Sequence, residues 1–279
     1  MKTKIVAHCL VKNEARWIWY SIMSVIKHVD EIMVWDTGST DITSRIINSI
    51  NSEKIKFLQC KDVTPQIHTQ FRQKMIDETD TRATWIMILD GDEIWPEESI
   101  RKATIFARFH SDTESIVTRT NNLVGDIYHR LPLSAGMYKL AGKTGHLNLR
   151  FINFKNISGL HVNRPHGQQG FYDSKNKLIQ DRDQEKITFL DLPYHHATHL
   201  RRSNTKTEDL KVPKRKNKFK YEIGEKIPAS EIPDVFFQPH PKIVPDVTLP
   251  ANTSFWLKSL IVTLPRRLKR KLFPPTNGY

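Results

Sequence analysis

Three carboxylates, Asp90, Asp92 and Glu93, stand directly behind the apolar run Trp85 to Leu89. Two carboxylates separated by one small residue can converge on a hard divalent cation, which takes oxygen ligands and often keeps substrate phosphates in its remaining positions. Asp90-Gly91-Asp92 is therefore a candidate metal-diphosphate site. The same residues also read as a solvated turn entering a helix, with Pro96 at its first position and Glu97 and Glu98 complementing its dipole. Asp36 ends a second apolar run, where a carboxylate can accept hydrogen bonds from a base or ribose, and Ser39, Thr40 or Asp41 can cap the helix that follows. A histidine cluster appears late, in Tyr194-His195-His196-Ala197-Thr198-His199. His196 and His199 share a face if that segment is helical.

The elements that must position these groups are visible in the hydropathy pattern. Strands are predicted at 4–11, 31–35, 56–60 and 85–89, and helices at 14–28, 41–50, 67–79 and 96–109. Five apolar residues without polar alternation before Asp90 suit a strand buried on both faces. Alternating strands and helices predict an α/β fold with a mostly parallel sheet and helices on both faces. Ligands of such sheets bind outside the carboxyl ends of the strands, where Asp36 and Asp90 both fall. After about residue 115 the rhythm weakens, with further strands at 116–121 and 147–154 between irregular segments.

Composition narrows the class. The 279 residues carry a net charge of +13, but residues 1–140 hold 18 Lys+Arg and 18 Asp+Glu against 25 and 12 in residues 141–279. A neutral first half is a poor nucleic-acid platform, and the basic run around 203–220 lacks interleaved aromatic residues for stacking bases. No nucleic-acid partner is expected. Cys9 and Cys60 lie in apolar runs and read as buried thiols of a reducing compartment. No segment has the pattern of a signal peptide or the length of a spanning helix, so a cytoplasmic protein is expected.

Together, Val11-Lys12-Asn13-Glu14, Trp35-Asp36-Thr37-Gly38-Ser39-Thr40-Asp41 and Leu89-Asp90-Gly91-Asp92-Glu93 resemble the family 2 glycosyltransferases of GT-A fold over roughly residues 4–100. The resemblance implies a nucleotide-sugar donor across the sheet edge, Mn2+ or Mg2+ held by the Asp-x-Asp motif, and an inverting displacement at the anomeric carbon. Lys12, Asn13 and Glu14 would then line the donor site, with Asp36 as nucleobase contact, Asp90 as ribose or metal-side carboxylate and Asp92 as metal ligand. Arg72 falls where related sequences place a nucleotide-binding Arg. In the late segment, His196 or His199 would complete the metal shell and Arg201 would reach the diphosphate. Inverting transfer also requires a base for the acceptor hydroxyl. No Asp or Glu lies between Asp126 and Asp173, so the candidates are Asp126, His166 or a residue outside that window.

Three regions follow: a nucleotide-sugar-binding half at 1–120, an acceptor-side and metal-completing region at 121–205, and a basic, Pro-rich extension at 206–279. In the extension, Thr253 or Ser254 can cap a short helix bearing Phe255, Trp256, Leu257, Leu260, Ile261 and Val262, followed by Pro265 and the basic run 266–271. Apolar burial beside a polybasic cluster suits an anionic membrane surface. The expected protein is a glycosyltransferase acting on a glycan or lipid-linked acceptor, peripheral at the inner face of the membrane. The alternatives are a non-catalytic sugar-nucleotide binder and a basic nucleic-acid-binding protein.

Overall fold

A computed structural model describes residues 3–60, 67–164, 168–212 and 214–272. The chain opens with β1 (Lys4–Val11), α1 (Ile18–Val25), β2 (Glu31–Asp36), α2 (Thr43–Asn48), β3 (Ile55–Gln59), α3 (His68–Asp77) and β4 (Ala83–Leu89). It continues through β5 (Glu93–Ile94), α4 (Glu97–Phe109), β6 (Ser115–Val124) and β7 (Asp126–Arg130). Short strands β8 (Tyr138–Leu140) and β9 (Lys143–Gly145) precede β10 (Leu147–Asn153), β11 (His161–Asn163), β12 (Gly170–Tyr172) and β13 (Ile187–His196). The last elements are α5 (Lys206–Leu210), α6 (Arg215–Lys218), β14 (Glu225–Lys226) and α7 (Thr253–Leu272).

The expected strand–helix alternation is present through α4. In β4, Trp85, Ile86, Met87 and Leu89 are fully buried, as an unbroken apolar run requires. Each such side chain contributes about 1.5–3 kcal/mol relative to exposure. Pro96 sits just outside α4 rather than at its first helical position, and Glu97 and Glu98 occupy the first turn. Ile100, Ala103, Thr104 and Ala107 form its buried face at helical spacing.

The main sheet runs in the order β14-β7-β6-β10-β4-β1-β2-β3. Strands β3, β2, β1 and β4 are mutually parallel, whereas β10 is antiparallel to both β4 and β6. Strand β13 runs parallel to β6 and antiparallel to β5. Since β2 and β4 flank β1 on opposite sides, the chain reverses its direction of sheet growth there. Such a switch point opens a crevice at the carboxyl ends of the strands. The 120/121 division falls inside β6, and β14 of the basic extension pairs with β7, so one sheet crosses all three expected regions.

The C-terminal helix is longer than a stop at Pro265 predicts. It continues to Leu272 with Pro265 inside it, and its start is held by the Asn252 side chain, which accepts from the Phe255 N–H at 2.9 Å, rather than by Thr253 or Ser254. Cys9 and Cys60 are buried free thiols.

Candidate active site

The ends of β1 and β2 are wired together before any ligand is considered. Asn13 adopts φ 54°, a left-handed conformation that Asn tolerates better than most residues. Its N–H donates to Ser39 Oγ at 2.8 Å, and its side-chain oxygen accepts from the Thr40 N–H at 2.7 Å. Asp36 is fully buried and accepts from the Ser39 N–H at 2.8 Å and from the Ser44 hydroxyl. The turn between them passes through Gly38 at φ 90°, which needs glycine. The Asp36 carboxylate therefore holds the loop that follows β2.

At the end of β4, the Asp90 side chain is partly exposed, with Arg72 Nη2 3.4 Å from one oxygen and Arg150 Nη2 3.4 Å from the other. Burial opposes its ionisation, but Arg150 and Arg72 outweigh that and hold the carboxyl below its ordinary value. Asp92 is fully buried, 3.3 Å from His196 Nε2 and 3.1 Å from Arg202 Nη2. Neither of its oxygens receives an aligned hydrogen bond. Burial again opposes charge, and Arg202 with His196 overrides it, so Asp92 remains ionised.

Glu93 is also fully buried and pairs with Arg150. Desolvation pushes its carboxyl well up despite that partner. Arg150 is itself positioned by the Tyr194 hydroxyl, which accepts from its Nε at 3.0 Å and from Asn148 Nδ2 at 2.8 Å. Strand pairing sets His196: it lies opposite Glu93 in the β13–β5 register. One ligand atom each from Asp90, Glu93 and His196 lies within 4.8 Å of the others. Two carboxylates and an imidazole form a donor set suited to Mn2+, and the unbonded oxygens of Asp92 lie beside it. The residues fit a divalent cation.

Several expected site residues stand elsewhere. His199 is not on a helix face with His196, because β13 ends at His196. Its Nδ1 lies 2.7 Å from the Lys218 carbonyl and it is outside the ligand cluster; burial pushes its imidazole down to about 3. Arg201 is exposed, its carbonyl accepting from Trp17 Nε1 at 2.8 Å, and its neighbour Arg202 is the one that turns toward the carboxylates. Asp126 spends one oxygen on His129 Nδ1 and the Tyr128 N–H and the other on the Ala251 N–H. His166 lies outside the described residues. Lys12 contributes its carbonyl, which accepts from Arg215 Nη2 at 2.9 Å.

Four residues escape the sequence reading. Glu93 was visible in the acidic triplet, and Arg202 stands beside Arg201, but Arg150 sits in an ordinary alternating strand. Arg215 belongs to a basic run that reads as solvated. It is buried because Glu14 draws it: Arg215 Nη2 is 2.6 Å from the Glu14 carboxylate, which also pairs with Arg202. Burial pushes the Glu14 carboxyl up to about 7 against both guanidiniums. On the Asp90 and Arg150 side lies a cleft of about 630 Å³, lined by Arg72, Asp90, Asn148 and Arg150 together with Tyr138 and Phe171.

The chain matches the model of Glycosyl transferase family 2 over residues 10–157. Among curated proteins none matches. Similar solved structures include S. aureus TarS 1-349, at 13% identity and TM-score 0.46, covering 70% of this chain and 61% of that one. Another is glucosyl-3-phosphoglycerate synthase from Mycobacterium tuberculosis in complex with Mn2+, UDP-glucose and phosphoglyceric acid, at 17% identity and TM-score 0.46, covering 75% of this chain and 74% of that one. The present chain thus spans less than two thirds of TarS 1-349. The family match spans more than half of the chain and includes all three strand-end motifs: the chain belongs to glycosyl transferase family 2.

Proposed function

We propose that this glycosyltransferase uses Mn2+ or Mg2+ and a nucleotide-sugar donor to glycosylate a glycan or lipid-linked acceptor with inversion, at the inner face of a membrane. The observation that carries the reading is the convergence of Asp90, Glu93 and His196 beside the Arg72 and Arg150 guanidiniums at the sheet switch point. A divalent cation bound there supplies Lewis-acid neutralisation of the charge on a departing nucleoside diphosphate. Arg72 and Arg150 add fixed positive charge at the same place without reorganising during the reaction.

The loop held by Asn13 and Asp36 receives the nucleoside, and Lys12 lies at its edge. Arg202 and Arg215 keep Glu14 and Asp92 from repelling one another. Asp126 has both oxygens committed to internal donors, which shifts the role of base for the acceptor hydroxyl to His166 or to a residue outside the 126–173 stretch. Membrane association draws support from α7. Its exposed residues Leu257, Leu260, Ile261, Leu264, Leu268 and Leu272 form one apolar stripe, and its last turns carry Lys269, Arg270 and Lys271. Among the described residues, no helix is long and apolar enough to cross a membrane.

A thermal-shift panel of UDP-, GDP-, CDP- and dTDP-sugars with and without Mn2+ tests this directly. One nucleotide class should stabilise the protein only with metal, and Asp90→Asn should abolish both that shift and sugar transfer. Metal-independent binding of every nucleotide, or full transfer by Asp90→Asn, would overturn the assignment.

A further inference from the structure

A second cleft, of about 830 Å³, lies between the start of α1, the segment 200–221 and the first turns of α7. Arg16, Arg201, Lys206, Lys216 and Lys258 line it, and Leu210, Phe219 and Leu249 add apolar surface, each of these three exposed. Its acidic residues are already engaged. Asp126 accepts from His129, and Asp209 accepts from Arg215 Nη1 at 3.2 Å. Among the described residues, none of the five cations forms an ion pair; Arg16 donates to the Asp246 carbonyl, and Lys258 lies over the Tyr221 ring. Burial, with Arg201 beside it, pushes the Arg16 guanidinium below its ordinary value. Crowded cations whose two neighbouring carboxylates, Asp126 and Asp209, are already engaged by other donors are complementary to an anion.

The same cleft reaches the first turn of α7, where Phe255 and Lys258 line it and Leu257 begins the exposed apolar stripe beside them. Helix α7 is mounted with its polar side inward, contrary to an ordinary surface helix. Thr263 Oγ1 accepts from the Ile223 N–H at 2.8 Å, Arg266 Nη1 donates to the Tyr221 carbonyl at 3.0 Å, and Arg270 pairs with Glu222. The leucines face outward while the cations gather where the stripe begins.

Building on the membrane reading above, we infer that the second cleft receives the phosphate of an anionic phospholipid while the α7 stripe lies in the acyl boundary of the same leaflet. Apolar burial and attraction to anionic headgroups reinforce each other in this arrangement. Arg201 thus belongs to a lipid-facing site rather than to the donor cleft, whose described lining does not include it.

The test is vesicle flotation of the full chain with phosphatidylcholine alone and with phosphatidylcholine containing phosphatidylglycerol. The wild-type protein should float with the anionic vesicles. Lys206→Glu/Lys216→Glu/Lys258→Glu and, separately, Leu260→Glu/Leu264→Glu should each weaken capture about tenfold or more. Thermal shifts with nucleotide-sugar and Mn2+ should stay unchanged in both variants, which separates failure of this surface from failure of the donor site. Wild-type capture by anionic vesicles that survives the triple lysine change would overturn the cleft assignment. So would a stability gain from inorganic phosphate, lost in the lysine variant, without any vesicle capture. A wild-type dimer that Leu264→Glu converts to monomer, again with no capture, would assign the stripe to a second copy of the chain instead.

Discussion

Gly91 stands so close to Glu14 that a carbon added at its Cβ position would lie 2.9 Å from Glu14 Cγ, and 2.8 Å from Val11 Cγ1. The glycine between the two aspartates is therefore dictated by the end of β1. Gly91→Ala must push Glu14 or Val11 aside, at a cost of about 1–3 kcal/mol for an overpacked site. Because Glu14 shares Arg202 with Asp92, transfer should fall as well. Chemical denaturation and a transfer assay check both, and wild-type values in each would refute the steric account.

Arg202 separates two buried carboxylates. Arg202→Met should cost about 3 kcal/mol or more, since removing one partner leaves uncompensated charge in the interior. Adding Glu14→Gln should restore part of the loss by removing one of those charges. Equal urea midpoints for the single and double variants would count against this.

The two late histidines should separate cleanly. His196→Ala removes a member of the ligand cluster and should weaken Mn2+ binding by about tenfold or more. His199→Ala should leave Mn2+ affinity within about twofold, because His199 contacts the Lys218 carbonyl outside that cluster. Mn2+ titration followed by electron paramagnetic resonance distinguishes them, and the reverse ranking would shift the site toward His199.

His8 supplies a pH signature. It is buried beside the Thr79 hydroxyl, 2.8 Å away, and burial with the Arg72 charge pushes its imidazole down to about 3. An unfolded chain takes up that proton near pH 6.5, whereas the folded chain resists it until about pH 3. The unfolded state thus binds more protons in this window, so stability falls as pH drops from 6.5 toward 3 and is unaffected by this group above it. His8→Gln should reduce the slope of unfolding free energy against pH by up to about 1.4 kcal/mol per unit within the window. An unchanged slope between pH 7 and 4.5 would refute it.

The first 110 residues were legible because each element has one dominant signal: the apolar run of β4, the helical spacing of α4, the polar strand ends. Asp36 and Asp90 could be placed at the sheet edge from that pattern. What the sequence concealed was pairing across long separations. Nothing in Leu147–Asn153 distinguishes Arg150 as the partner of Asp90 and Glu93, and a basic run gives no sign that Arg215 is its buried member. His196 and His199 were hard to rank for the same reason, since a strand end separates them where a helix would have united them. Parallel pairing of Ile187–His196 with Ser115–Asn122 is not encoded in either segment alone.

That pairing also sets the order in which the protein can mature during synthesis. Strands β1, β2, β3 and β4, with Asp36 and Asp90 at their ends, are complete about a hundred residues before His196 is made. Until β13 inserts beside β5 and β6, the nascent chain carries the acidic triplet without its imidazole and without Arg202. Closing a loop of that length is slow compared with local helix formation. The growing polypeptide should therefore pass through a state that has the loop held by Asn13 and Asp36 but lacks His196 of the carboxylate–imidazole cluster, and catalytic competence should arrive late and abruptly on the ribosome.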